Sequence, residues 1–134
     1  MAADGLITIE SGFGPEETMN RFEAEVRSRG MTVFAHIDHA AGATTAGLSL
    51  RPTELLIFGD AKAGTPLMQS TQTFGIDLPL KALVWQDASG IAWLSYSDPA
   101  FLARRHDLDG AHNTTVNAMA AALEAISSEA TTPS

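Results

Sequence analysis

The sequence lacks cysteine altogether and has few positive charges. Without cysteine, the chain can form no disulfide, thiolate zinc site, iron–sulfur cluster or cysteine nucleophile. Eight lysine and arginine residues stand against 16 aspartate and glutamate residues, which gives a net charge of -8. Because no basic stretch supplies counter-charge for phosphate groups, we expect neither nucleic-acid binding nor docking on anionic lipid.

Long apolar runs are missing as well. No run approaches the roughly 20 residues of a membrane span, and the N-terminal stretch MAADGLITIE has no basic region followed by an apolar core. We therefore expect a soluble, cytoplasmic protein. With 134 residues, 45% of them hydrophobic, the chain is expected to form one domain, with a core over about 5–129 and a frayed tail over 127–134.

Hydrophobic periodicity and turn residues predict five strands and two long helices. The predicted strands cover 5–11, 31–39, 53–59, 81–87 and 91–97, and a short loop joins the last two as a hairpin. One long helix is predicted over 12–30, with Pro15 near its start and Gly30 at its end. The other lies near the C-terminus, where apolar residues recur at helical spacing from Val116 to Ile126.

Shorter segments lie between the strands. Short helices are predicted over 64–75 and from Asp98-Pro99 to about Arg105, while 40–47 is interpreted as a loop or one helical turn. The whole order predicts an α+β fold, β-α-β4-α, with a mainly antiparallel sheet and two long helices packed on one face.

The stretch LLIFGDAKAGTPLM, residues 55–68, has almost the layout of a phosphate-binding P-loop. Gly59 and Gly64 fit the first part of that motif, but Thr65 stands where the motif needs a lysine. Lys62 lies inside the loop, and Pro66 removes one backbone N–H donor. We interpret the stretch as a turn and a helix that Thr65 caps, and expect no nucleotide hydrolysis, although a helix N-terminus could still bind an anion.

Histidines and carboxylates cluster near residue 38. On a strand, His36 and Asp38 point to one side and His39 to the other, so His106 or His112 would have to complete a metal site. Three or four converging ligands are needed. We therefore predict no metal site, and no cofactor either.

Further polar and aromatic groups have structural interpretations. Asp77 could cap the preceding turn and pair with Lys81, and Arg105 and His106 end a short helix, where cations suit the helix dipole. The aromatic residues of the hairpin could line a pocket, form a dimer face or fill the core. With Phe34, they are too large to leave exposed on a monomer, so we predict a homodimer that buries Phe34, Trp85, Trp93 and Tyr96.

Five motifs appear in order along the chain: IDHA, LSLRPTELLIFG, KAGTPLM, IDLPLK and YSDPAFLARRH. Together they resemble the domain of unknown function 302 family over about residues 5–129. The resemblance implies a compact α+β fold of the TATA-box-binding-protein-like type and a homodimer, but no catalytic assignment. Asp60 stands where an asparagine is commoner in the family. The family's recurrent polar positions fall on Asp38, His39, Arg51, Thr53, Gly59, Gly64, Thr65, Asp77, Lys81, Tyr96, Arg105 and His106.

Three functional hypotheses remain open. The leading one is a homodimeric protein that binds a small anionic or apolar ligand, or acts as an accessory, without chemistry of its own. The second is an enzyme with His39 or His106 as acid–base and Lys81 or Arg105 holding an anionic substrate, and the third is a purely structural interaction protein. We predict that His39, Thr65, Lys81 and His106 border one concave region. The candidate ligand-binding residues are Asp38, His39, Thr65, Asp77, Lys81, Arg105 and His106.

Overall fold

Five antiparallel strands form one sheet in the computed structural model, which describes residues 3–134. The sheet order is β1-β5-β4-β3-β2, so the two outer strands come from the first part of the chain. The predicted α+β fold and its antiparallel sheet are confirmed. The strands are β1 Leu6–Glu10, β2 Thr32–Asp38, β3 Thr53–Gly59, β4 Leu80–Gln86 and β5 Ala92–Ser97.

The helices follow local signals in the sequence. In α1, proline occupies the first turn beside Glu16 and Glu17, and Gly30 follows the helix with a positive φ of 77°. Two short 3-10 helices, Gln72–Ile76 and Gly110–His112, lie in the connections. The α-helices are α1 Pro15–Ser28, α2 His39–Thr45, α3 Ala61–Ser70, α4 Pro99–Arg105 and α5 Asn113–Thr131.

The main core lies between one face of the sheet and the two long helices. Alternate strand residues such as Leu56, Phe58 and Leu94 point to this face and are fully buried. Phe22 of α1 meets Phe58 edge to face, with ring centroids 5.3 Å apart. A smaller apolar cluster, made by Leu67, Phe74 and Leu102, ties α3, the first 3-10 helix and α4 together.

The predicted start of α3 is wrong. α3 begins at Ala61, because the carboxylate of Asp60 caps it by accepting the N–H of Lys62 at 3.0 Å. Thr65 and Pro66 therefore lie inside the helix rather than at its start. Of the two interpretations of 40–47, a loop or one helical turn, the helical one is nearer the structure, since Asp38 caps the seven-residue helix α2.

The C-terminal tail differs from the expected frayed segment. α5 continues to Thr131, with Ala130 and Thr131 buried, and the N–H of Gly12 donates to the carbonyl of Thr131 at 2.8 Å. The reason is that Leu123, Ile126 and Ala130 continue one apolar stripe at helical spacing. The burial of this stripe extends the helix beyond residue 127.

The second face of the sheet is apolar and half exposed. Trp85 and Trp93 are direct cross-strand partners there, with stacked rings whose centroids lie 6.0 Å apart. Tyr96 instead points into the core, where burial raises its pKa, which corrects its assignment to an exposed dimer face. We call this second face the open face, and its apolar members are Leu6, Ala35, Ile37, Leu55, Ile57, Leu83, Trp85 and Trp93.

Candidate functional site

A cleft of about 670 Å³ opens beside the start of α3. Its walls come from four parts of the chain: 29–34, which includes the first residues of β2; 59–68, which includes most of α3; 78–80 at the start of β4; and 114–123 in α5. Its volume lies within the range of ordinary small-molecule sites, about 300–1,000 Å³. The cleft is therefore large enough to enclose most of a small ligand.

The interior of the cleft is apolar and adaptable. Three of the five methionines, Met31, Met68 and Met119, line it together with Leu78 and Leu123. Methionine is unbranched and flexible, so it fits its packing to ligands of different shapes. The wall thus favours an apolar ligand body without demanding one particular shape.

Three charged residues lie at the cleft. Arg29 and Lys62 bring positive charge and Asp60 brings negative charge. One oxygen of Asp60 is engaged in capping α3. Arg29 lies 3.8 Å from Glu25 through its Nε atom, and its side chain is largely exposed, so this ion pair is weak.

The glycines of the P-loop-like stretch serve packing. A Cβ atom on the buried Gly64 would lie 3.3 Å from Leu78 Cδ1, and one on Gly59 would lie 3.5 Å from Pro79 Cβ. The distance at Gly64 is tight for a Cβ atom, so the absence of a side chain there helps α3 lie close to Leu78, whereas the distance at Gly59 is ordinary van der Waals contact. This close approach gives Gly64 a structural reason independent of phosphate binding.

A second polar group joins α4 to the first 3-10 helix. The carboxylate of Asp77 accepts from Arg105 Nη1 at 2.9 and 3.0 Å and from His106 Nε2 at 2.6 Å. With Nε2 donating to the carboxylate, the neutral ring has Nδ1 available as an acceptor for the Thr73 hydroxyl at 3.1 Å. The His106 side chain is only 8% exposed and lies against the Phe74 ring. Asp77 and His106 thus form a largely buried cross-link.

Lys81 is not the partner of Asp77. Among the described residues, Asp77 pairs with Arg105 and His106, because the end of α4 brings both side chains to its carboxylate. Lys81 points from β4 toward the open face and is exposed. It borders, with Asp77 and Ser97, a small cleft of about 40 Å³.

The pair Asp38 and His39 lies at the other end of the sheet. Asp38 is opposite Glu54 at the start of β3, whereas the large cleft begins at Gly59, five residues later and about 17 Å away along an extended strand. The structure therefore does not bring His39 together with Thr65. Of the four residues predicted to border one concave region, Thr65 lines the large cleft, Lys81 borders the small one, and His106 belongs to the cross-link.

His36 is separated from the other predicted metal ligands. It points to the helix-covered face, with Nδ1 3.5 Å from Glu23 and Nε2 3.5 Å from Glu54. Within residues 3–134, no three histidine or carboxylate side chains are placed to hold a metal ion. The imidazole itself occupies the space between the two carboxylates.

The hairpin loop holds one carboxylate in an unusual setting. The indole N–H of Trp93 donates to Asp87 at 2.8 Å, and the backbone N–H groups of Ile91 and Ser89 donate to its other oxygen. These hydrogen bonds, with the Trp93 bond the largest cause, lower the pKa of Asp87. The network fixes the orientation of Trp93 on the open face.

The large cleft was missed by sequence reasoning. In the sequence, Arg29 has the pattern of a cation at the end of a helix, and Lys62 lies in a stretch that only partly matches a P-loop. Neither pattern indicates that the two residues line the same cleft. Thr73 likewise carries no motif that points to His106. Their proximity arises from tertiary packing alone.

None of the helices within residues 3–134 combines the length and apolarity required to cross a bilayer.

Relatives of this chain have longer sequences. Three proteins are 50% identical over 115 residues: "Fluoride-specific ion channel FluC 1" of Brucella suis, the protein of the same name in Brucella abortus, and "Fluoride-specific ion channel FluC 2" of Brucella melitensis. The match covers 86% of this chain but 45% of the Brucella suis protein and 43% of the other two. The chain thus spans less than half the length of these relatives.

A solved structure shares the fold. The crystal structure of an uncharacterized conserved protein DUF302 from Bacillus stearothermophilus matches with a TM-score of 0.84, covering 96% of this chain and 99% of that chain. At 20% identity, this likeness concerns the fold. Residues 7–126 match the family described as "Domain of unknown function DUF302". This match covers most of the sequence, and the chain therefore belongs to the DUF302 family.

Proposed function

We propose that this chain is a homodimeric domain that binds a small, mainly apolar ligand in the cleft beside α3. The observation that carries the proposal is the cleft itself, about 670 Å³ and lined by Met31, Met68 and Met119. Burial of apolar ligand surface there supplies about 25 cal/mol per Å² removed from water. The domain works as a binding or accessory module, without chemistry of its own.

Binding is favoured over catalysis because of how His106 is held. Both of its ring nitrogens have partners, Asp77 and Thr73, and its side chain is nearly buried. A general base needs a nitrogen within reach of substrate. His39 lies at the far end of the sheet from Lys81, which does not support an enzyme in which His39 is the acid–base and Lys81 holds an anionic substrate.

The Brucella relatives support the accessory part of the proposal. In each of them, the region that is 50% identical to this chain is one part of a protein more than twice the length of that region. A domain that forms one part of a longer protein is suited to an accessory role toward the rest of such a protein. Ion conduction is not proposed for this chain, since more than half of each relative lies outside the match.

The ligand-binding proposal is tested by filling the cleft. Ala118 of α5 lines it, so Ala118→Trp would place an indole in the ligand space. We expect 1-decanol, a neutral apolar probe, to bind the unmodified protein and to bind this variant at least about tenfold more weakly, which corresponds to about 1.4 kcal/mol. Titration calorimetry measures both affinities.

Ala121→Trp provides the matched control. Ala121 is an exposed residue of the same helix and does not line the cleft. This control should bind 1-decanol as the unmodified protein does. If both tryptophan variants bind 1-decanol equally well, the ligand lies outside the cleft. If neither the unmodified protein nor any variant binds 1-decanol, the chain is better explained as a structural interaction protein.

The open face supports the dimer. Its central residues Leu55, Ile57 and Leu83 lie side by side on two neighbouring strands, flanked by the stacked Trp85 and Trp93. Apolar patches of this kind are commonly covered by another protein surface. A second copy of the chain fits because the open face is extended and its central strands lack charged members apart from Lys81.

Leu55→Lys should separate the dimer. It places a charge between Ile37 and Leu83, where burial against a second copy would be costly. We expect the unmodified protein to sediment at twice the 14.1 kDa of one chain, and the variant as a monomer. Asn20→Lys, on the exposed side of α1, adds the same charge and should stay dimeric. A 14.1 kDa species for the unmodified protein at micromolar concentration would refute the dimer.

A further inference from the structure

We infer that the cleft binds an amphipathic monoanion: an apolar body that ends in one carboxylate-like head group, held by the ammonium group of Lys62, with Arg29 as a second cation that lines the cleft. This inference rests on the proposed binding function and names the chemical class of the ligand. A fatty acid and another long-chain carboxylic acid share this chemistry. The head group, rather than the source of the ligand, is what the residues recognise.

The net charge of the residues that line the cleft has the opposite sign to the net charge of the whole chain. The whole sequence carries -8, yet the charged residues that line the cleft are Arg29, Lys62 and Asp60, a local sum of +1. The sequence has two lysines, and one of them is here. In an acidic protein, this positive spot beside an apolar wall is a local attraction for one negative group.

Lys62 is available for a ligand. Within residues 3–134 its ammonium group has no carboxylate within 4.0 Å, whereas Arg29 is shared with Glu25. The neighbouring Asp60 carboxylate accepts the backbone N–H of Lys62 and is partly engaged by that bond. Lys62 is therefore the main cation for the head group, and Arg29 contributes less.

The other residues that line the cleft determine the polarity of the ligand body and the number of charges on its head group. Apart from the three charged residues, the polar side chains at the cleft are the hydroxyl groups of Thr65, Thr114 and Thr115. A polar ligand body would lose more hydrogen bonds to water than these hydroxyls replace. A second negative charge on the head group would face Asp60 with a net counter-charge of only one, so a monoanion fits better than a dianion.

Decanoate and 1-decanol test the head group, because they share a ten-carbon body and differ in charge. At neutral pH and low salt, we expect decanoate to bind about fivefold more tightly than 1-decanol, as expected for one partly exposed ion pair. In Lys62→Gln this ratio should fall to about one while 1-decanol binding stays unchanged. Salt at 0.5 M should also reduce the ratio in the unmodified protein.

Lys81→Gln is the matched control, since it removes the other lysine, which lies outside the large cleft. This variant should keep the full preference for decanoate. Equal binding of decanoate and 1-decanol by the unmodified protein would overturn the head-group inference and leave the binding function intact. Failure of both probes to bind would overturn the binding function itself. Tighter binding of decyl phosphate than of decanoate at pH 8 would overturn the monoanion assignment.

Discussion

Phe58→Ala should lower the free energy of unfolding by about 3–5 kcal/mol, the usual cost of removing a fully buried phenylalanine. Phe58 has no exposed surface and lies on the central part of the sheet, where its ring meets Phe22 at 5.3 Å. The substitution loses both the apolar burial and the edge-to-face contact, and the surrounding strands can close only part of the cavity. Such a loss is a large share of the 5–15 kcal/mol typical of a domain.

Urea denaturation at one fixed protein concentration measures this effect, since the proposed dimerisation would make stability depend on concentration. Phe34→Ala is the control, because Phe34 lines the cleft and lies outside the open face, which corrects its assignment to the dimer face. It is 54% exposed, and its loss should cost less than about 1 kcal/mol. Equal destabilisation by the two substitutions would contradict the placement of the core on the Phe58 side of the sheet.

Asp77→Ala should cost about 2–3 kcal/mol. The substitution leaves the Nε2–H donor of His106 without its partner in a side chain that is 8% exposed, and burying an unpaired polar group is costly. Arg105 adds little to this figure, because its side chain is 55% exposed and reaches water when the carboxylate is removed. The larger part of the effect is thus assigned to His106.

Arg105→Ala separates the two contributions. It removes the exposed cation and keeps the Asp77–His106 bond, so we expect a loss of no more than about 1 kcal/mol. Thermal or urea unfolding of the two variants side by side gives the comparison. If Arg105→Ala destabilises the protein as much as Asp77→Ala does, the cross-link is an ordinary surface ion pair and His106 contributes nothing to it.

The architecture was largely predictable because its signals are local. The strand 53–59 contains an unbroken apolar run over 55–58, and Pro15 and Gly30 mark the limits of the first helix region. The start of α3 was misplaced because two capping signals compete: Asp60 and Thr65 are both good N-cap residues, and Pro66 suits a first turn. The helix starts at Ala61, and this earlier start brings Gly64 against Leu78, a tertiary contact that no local pattern reveals.

The site was less predictable because its parts are far apart in the chain. Periodicity shows that Met119 and Leu123 share a helix face, but it does not show that Met31 and Met68 lie opposite them. The sequence indicates three candidate ligand-binding residues in this region: Asp77, Arg105 and His106. Their mutual contact depends on how α4 packs through Leu102. Apolar clefts in particular leave no sequence motif, since their residues resemble those of any core.

The stacked Trp85 and Trp93 give this protein a built-in optical reporter. They are the two tryptophans of the whole sequence, and they lie next to each other on the open face with their indole N–H groups tied to Ser95 and Asp87. All tryptophan emission therefore originates from one spot on the surface that we propose a second copy covers. Dilution of the unlabelled protein can thus be followed by its own fluorescence, and separation of the proposed dimer would change that signal as solvent reaches the indoles.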